Sequence, residues 1–149
     1  MPASPPDIEA LIRAVVPPAM RALVPPPCLL DMRGECLEYE EGRRLRMRFP
    51  VLERYRNPLG NMQGGFIVAA LDNTIGSFSF LVAPPSATAS LDTQYLRPVT
   101  PGDSAIVCSA WLVERTRNTL HIHAEARNDA GKVVVLCQSV NQLLPPPAD

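Results

Sequence analysis

The 149-residue sequence has almost no net charge (−1 at neutral pH), no cysteine pair at ligand or redox spacing, no internal repeat, and no long apolar run free of polar interruptions. Each absence removes a class of protein. Near-neutrality gives no global attraction to nucleic acid or acidic membranes, although arginines cluster locally. Cys28, Cys36, Cys108 and Cys137 form neither a Cys-x-x-Cys pair nor a Cys/His grouping, so no zinc site is expected, and they read as buried thiols of a reducing compartment. Asp7, Glu9 and the prolines that break every early apolar run fit neither a secretory signal nor a transit peptide, and a cytoplasmic location is expected. The one candidate membrane span, residues 66–82, carries Asp72, Asn73, Thr74, Gly76 and two serines. It is too polar and too short to span and reads as a buried core helix.

The length suits one domain with a core that needs neither metal nor disulfide. Residues 1–34 form a proline-rich prefix. In it Ile8, Leu11, Ile12 and Val15 fall at helical spacing with Ser4 available as a cap, Pro17-Pro18 ends the helix, and a short turn follows around Met20, Leu23 and Val24. Pro25-Pro26-Pro27 is expected to run extended toward the first strand. Residues 35–144 then read as two strands (36–39 and 43–51), a loop over 53–61, a long apolar helix, and four strands near 88–96, 104–114, 119–128 and 132–144, spaced as an antiparallel meander. In the second strand Leu45, Met47, Phe49 and Val51 face one way and Arg44, Arg46 and Arg48 the other. The class is α+β, an antiparallel sheet wrapped around one long central helix, followed by a tail at 145–149 in which Pro145-Pro146-Pro147 ends the last strand.

The chemistry gathers around that helix. Asp72 is the lone carboxylate within the apolar stretch 66–76. A carboxylate in apolar surroundings loses hydration, so its pKa rises from about 3.9 and it becomes a better base near neutrality. The competing reading leaves Asp72 on an exposed strip, hydrogen-bonded to Asn73 or Thr74. Directly before the helix stand Asn57, Gly60, Gln63, Gly64 and Gly65. A helix start offers unpaired N–H groups and a positive dipole, and glycines let a substrate carbonyl approach them, which suits a developing oxyanion. Alternatively, the glycines only permit close packing or an unusual turn. A phosphate loop is excluded, because Phe66-Ile67 stands where Lys-Ser/Thr would be. Gly64 and Asp72 are eight positions apart, about 12 Å of rise on an ideal helix, too far for both to touch one carbonyl. If they share a site they come from different chains, as in a two-fold dimer with its helices side by side.

This pattern resembles the hotdog-fold acyl-CoA thioesterases, in particular the PaaI-type (phenylacetic-acid-degradation) branch, whose signature is an Asn, a Gly, His-Gly-Gly, and an acid eight positions after the first of those two glycines. Asn57, Gly60, Gln63-Gly64-Gly65 and Asp72 match, followed by Thr88 and Leu96-Arg97-Pro98 on the next strand. The likeness covers roughly residues 35–144. It implies a hotdog fold and hydrolysis of acyl-CoA to free acid and CoA, in a dimer or tetramer. Gly64 N–H would polarise the thioester carbonyl, Asp72 of the partner chain would activate water or attack directly, and Asn57 and Thr88 would hold the water or carboxylate. Gln63 stands where the family has His; it does not titrate but still donates and accepts hydrogen bonds, and it argues against the hotdog dehydratases. Arg117, Asn118 and Thr119 occupy the turn that resembles the family's nucleotide-contacting hairpin, although Gly is common where Arg117 stands.

The remaining candidates read as structure. Arg44, Arg46 and Arg48 form a solvated face more readily than a coenzyme A phosphate site. His121 and His123 share a strand face, but no third ligand is apparent. Trp111 is a packing residue. Nothing in the pattern calls for a metal or a cofactor beyond the coenzyme A of the substrate, and no nucleic acid or membrane partner is expected. The alternative from another class is a non-catalytic acyl-CoA-binding or regulatory hotdog protein, in which Gln63 marks lost chemistry.

Overall fold

The computed structural model describes residues 4–146; Pro147 of the final proline run lies outside the described residues. The prefix folds as α1 (Ile8–Val15), a 3-10 turn (Pro18–Leu23) and a short α2 (Pro27–Asp31). Two expectations change here. The cap of α1 is Asp7, whose Oδ1 accepts from Ala10 N–H at 3.0 Å, in place of Ser4. The run Pro25-Pro26-Pro27 does not lead extended into a strand, because Pro27 takes the first position of α2, where a missing N–H costs nothing.

Next come β1 (Glu35–Glu40) and β2 (Arg44–Pro50), a 3-10 turn (Glu53–Tyr55), the long α3 (Gly64–Val82), and β3 (Ser86–Tyr95), β4 (Ala105–Arg115), β5 (Thr119–Arg127) and β6 (Val133–Leu143). All six strands join one antiparallel sheet in the order β1-β2-β4-β5-β6-β3. The last four strands are therefore not a simple meander. β3 pairs with β6, and the segment after Tyr95 crosses back so that β4 lies between β2 and β5. That crossover is held by the fully buried Val99, whose carbonyl accepts from Met62 N–H at 2.9 Å, which also fastens the approach to α3.

On β2 the alternation is as expected: Leu45, Met47 and Phe49 are buried, while Arg44, Arg46 and Arg48 are half-buried. The arginines pair across the hairpin with Glu40 (2.7 Å), Glu38 (3.0 Å) and Glu35 (3.3 Å), so they are already matched by carboxylates of β1. The core lies between the sheet and α3, where Ile67, Ala70, Leu71, Ile75 and Phe78 are buried. By length and composition α3 would suffice to cross a membrane; here one stripe of it lies on the sheet. The opposite stripe is not buried by the sheet. Gly65 and Asp72 are exposed there, and Asn73, Gly76 and Phe80, half-buried, face the prefix. The prefix is fastened to this face through Asn73, which accepts from Cys28 Sγ at 3.4 Å and donates to Met32 Sδ at 3.6 Å.

Candidate active site

Helix α3 starts two residues earlier than its apolar run suggests, at Gly64, with Gln63 as the flanking residue and no side-chain cap. The loop before it is shaped by Asn57. Its Oδ1 accepts from Leu59 N–H (2.9 Å) and Asn61 N–H (3.2 Å), and its carbonyl accepts from Gly60 N–H (2.8 Å). Gly60 itself has φ +82°, a conformation that favours glycine. Tyr55 then closes the loop: its carbonyl accepts from Gln63 N–H at 2.7 Å, and its ring stacks on Phe66 at 4.3 Å. Gly64 and Gly65 N–H find no acceptor among the described residues, as the geometry of a helix start requires. Gln63 is exposed beside them.

Tyr95, which the sequence reading overlooked, sits over this helix start. A Cβ on Gly64 would lie 2.8–2.9 Å from its Cε1, Cζ and Oη, so the ring can sit this close only over a glycine and would have to swing away from any side chain. Gly65 is open, with nothing within 4 Å of the same position. The only sequence signal for Tyr95 was its place next to Leu96-Arg97-Pro98 in a chain with three tyrosines. Arg97 donates to the Val133 carbonyl at 2.6 Å and so pins the strand end.

Two turns further along α3 stands Asp72. On the single chain it is exposed, so its own chain does not supply the apolar surroundings expected for it. Its partner is neither Asn73 nor Thr74, which donate to the Ala69 carbonyl (3.0 Å) and the Ala70 carbonyl (2.9 Å) one turn back. Thr88 Oγ1 donates to Asp72 Oδ1 at 3.2 Å. A β-bulge between Thr88 and Ser90 on β3 places this hydroxyl, which fits the tendency of bulges to re-aim side chains near functional sites. β3 thus touches α3 twice, through Tyr95 at Gly64 and through Thr88 at Asp72.

Near the carboxylate lies Cys137, buried on β6. Burial first, then the negative charges of Asp72 and Asp92, push its thiol up to about 11. Burial likewise raises Cys108 and Cys36. These thiols stay protonated near neutrality and are poor nucleophiles. The expectation that all the cysteines are buried fails for Cys28, which is exposed on α2, and for Cys36, which is half-buried; all four are free.

Arg117, Asn118 and Thr119 lie elsewhere. Arg117 and Asn118 line a groove with Pro84 and Pro85, just past the C-terminal end of α3, the end opposite Gly64. Thr119 Oγ1 pairs with Thr116 Oγ1 (2.6 Å) and with His121 Nε2 (3.1 Å). His123 packs against the edge of Trp111 at 6.2 Å, so each histidine has its own neighbour and Trp111 packs as expected. One chain therefore brings Asp72 and Thr88 together, sets Gly64 eight residues away on the same unbroken helix, and puts the hairpin at the far end.

A six-stranded antiparallel sheet around one long helix, with a glycine pair at the helix start and an acid two turns on, defines a hotdog-fold protein. The model of the thioesterase superfamily matches residues 59–135, 77 of the 149 residues, and the chain belongs to that superfamily. Membership supports thioester hydrolysis as the general activity. Among solved structures, the PaaI protein of the E. coli phenylacetic acid degradation operon is similar over 92% of this chain and 94% of its own, with TM-score 0.78 and 17% identity. A putative thioesterase of Ralstonia eutropha, described as phenylacetic acid degradation-related, is similar over 91% and 98% (TM-score 0.74, 22% identity). A Streptococcus mutans protein whose structure holds acetyl-CoA is similar over 74% and 88% (TM-score 0.70, 19% identity). At such identities the likeness is one of fold, and it bears out the expected PaaI-type hotdog architecture. No curated protein matches the chain.

Proposed function

We propose that the protein hydrolyses acyl-CoA thioesters to a carboxylic acid and free coenzyme A, in a site shared by two copies of the chain. The observation that carries this reading is the pairing of an uncapped, side-chain-free helix start at Gly64-Gly65 with an exposed Asp72 held by Thr88 on the same helix. Eight residues of α-helix separate them by about 12 Å, so a single carbonyl meets Gly64 of one chain and Asp72 of the other. The outer edge of β3, ten residues long and largely exposed, offers a second copy unpaired backbone groups beside both Thr88 and Tyr95. Seated there, a partner also supplies the apolar cover that Asp72 lacks on its own chain.

In the reaction, Gly64 N–H donates to the thioester oxygen and stabilises the charge that develops on it. Asp72 takes a proton from water as the water oxygen bonds to the carbonyl carbon; the C–S bond then breaks, and the proton passes to the departing thiolate. Direct attack by Asp72 would form an anhydride that water then opens, and it uses the same carboxylate. Asn57, whose Nδ2 is left over after its Oδ1 has shaped the loop, and Gln63 orient the water or the thioester through their amides. Arg117, Asn118 and Thr119 contact the nucleotide end of coenzyme A. The free thiols agree with a cytoplasmic setting.

The test is thiol release from short, medium, long and aryl acyl-CoAs by the wild type and by Asp72→Asn. Loss of a general base lowers kcat by about 10²- to 10⁴-fold. Equal rates in both proteins would refute the role of Asp72. Saturable binding without turnover would favour the binding-protein reading, which the non-titrating Gln63 recommends.

A further inference from the structure

We infer that the proline-rich prefix and the outward stripe of α3 form the acyl-chain pocket of this chain, sized for a medium-length acyl group. The inference rests on the hydrolytic reading and deepens it by naming the substrate class.

A cavity of about 270 Å³ lies between the prefix and α3. Its walls are Ile12, Met20, Val24 and Leu29 on the prefix side and Gly76 and Phe80 on the helix side. Asp72 belongs to the same wall, one turn before Gly76. The cavity is thus continuous with the carboxylate proposed to act on the thioester, and a chain leaving that carbonyl along α3 would pass over Gly76 toward Phe80.

Gly76, on the wall of the same cavity, adds to this. Glycine inside a helix is unfavourable and is usually explained by close packing of a neighbour. Here a Cβ would meet nothing within 4 Å. The missing side chain makes room for no group of its own chain, and what it leaves open is the floor of the cavity. The lining is mostly apolar and opens to solvent beside Glu9 and Asp72, so a chain entering there releases water from apolar walls; for scale, an enclosed apolar cavity of about 150 Å³ holds benzene, roughly 25 Å³ per carbon. On that scale the present volume takes about eleven carbons, more than an acetyl group needs and fewer than a palmitoyl chain requires.

The experiment compares kcat/KM for acetyl-, octanoyl- and palmitoyl-CoA in the wild type, Gly76→Leu and Met20→Trp, with thermal melting to confirm folding. Gly76→Leu fills the floor while improving helix propensity, and Met20→Trp narrows the opposite wall should the first variant fail to fold. The wild type is expected to prefer octanoyl-CoA, and the octanoyl-to-acetyl ratio to fall at least tenfold in the variants. An unchanged ratio in folded variants, or a wild type indifferent to chain length, would overturn the pocket and leave the hydrolytic reading standing. No turnover with any chain would remove that reading and the pocket with it.

Discussion

Gly64 and Gly65 are adjacent and chemically identical, yet alanine should destabilise the protein at Gly64 and not at Gly65. At Gly64 the new methyl group would lie 2.8 Å from Tyr95 Cε1 and 2.9 Å from Cζ and Oη, well inside contact distance. Tyr95 is 53% exposed and the clashing atoms are the far end of its side chain, so the ring can swing away; the cost should sit at the low end of the overpacking range, about 1 kcal/mol. Alanine recovers little of that through helix propensity, because the position is the first of α3 and makes no full turn of hydrogen bonds behind it. For a chain of this size the melting temperature should drop by about 2–4 °C. At Gly65, where the methyl group meets nothing, stability should hold or rise by a few tenths of a kcal/mol. Chemical denaturation of the two variants, with Gly64→Ala/Tyr95→Ala as the relief of the clash, measures the contrast. Gly64→Ala should also lose about 10- to 100-fold in kcat/KM, since it retains the N–H but crowds the approach to it, a loss below that of removing a donor outright. Equal stability of the two single variants would refute the placement of Tyr95 over the helix start.

Two other outcomes follow from the charges and thiols. Asp129 accepts from Ser104 N–H (2.6 Å), Ser104 Oγ (3.1 Å) and Ala105 N–H (3.3 Å), and these bonds, led by the Ser104 backbone, hold its carboxyl below the usual carboxylate range. A depressed folded-state pKa contributes stability above the unfolded value of about 4 and loses it as the pH falls through the folded one, so Asp129→Asn should be the less stable protein at pH 7 and approach the wild type in acid. Urea denaturation at pH 7 and pH 3 measures the difference; a constant gap would refute the assignment. Under native conditions a maleimide should modify Cys28 fastest and the half-buried Cys36 more slowly, and Cys28→Ser should abolish the fast phase; three or more reactive thiols would contradict the burial of Cys108 and Cys137.

The strands and the central helix were legible because their signals are local. Alternation on β2 separates Leu45, Met47 and Phe49 from the arginines whatever the sheet order, and turn-forming residues (proline, glycine, or the Asn118 turn between β4 and β5) bound every later strand to within two residues. Asp72 and Gly64 stood out for the same reason, an acid and a side-chain-free helix start in an apolar context. The pairing of β3 with β6, the bulge that turns Thr88 toward Asp72, and the ring of Tyr95 over Gly64 were not legible. They join residues distant along the chain, and no local preference encodes which edge of the sheet a strand will take. The prefix shows the same division. Its prolines announced where helices stop, but only packing against the stripe of α3 that the sheet leaves free turns residues 8–29 into one wall of a cavity and Gly76 into its floor. Periodicity and turn chemistry act over a few residues and are written in the sequence; the choice of neighbours is made by burial of whole surfaces, which only the tertiary structure decides.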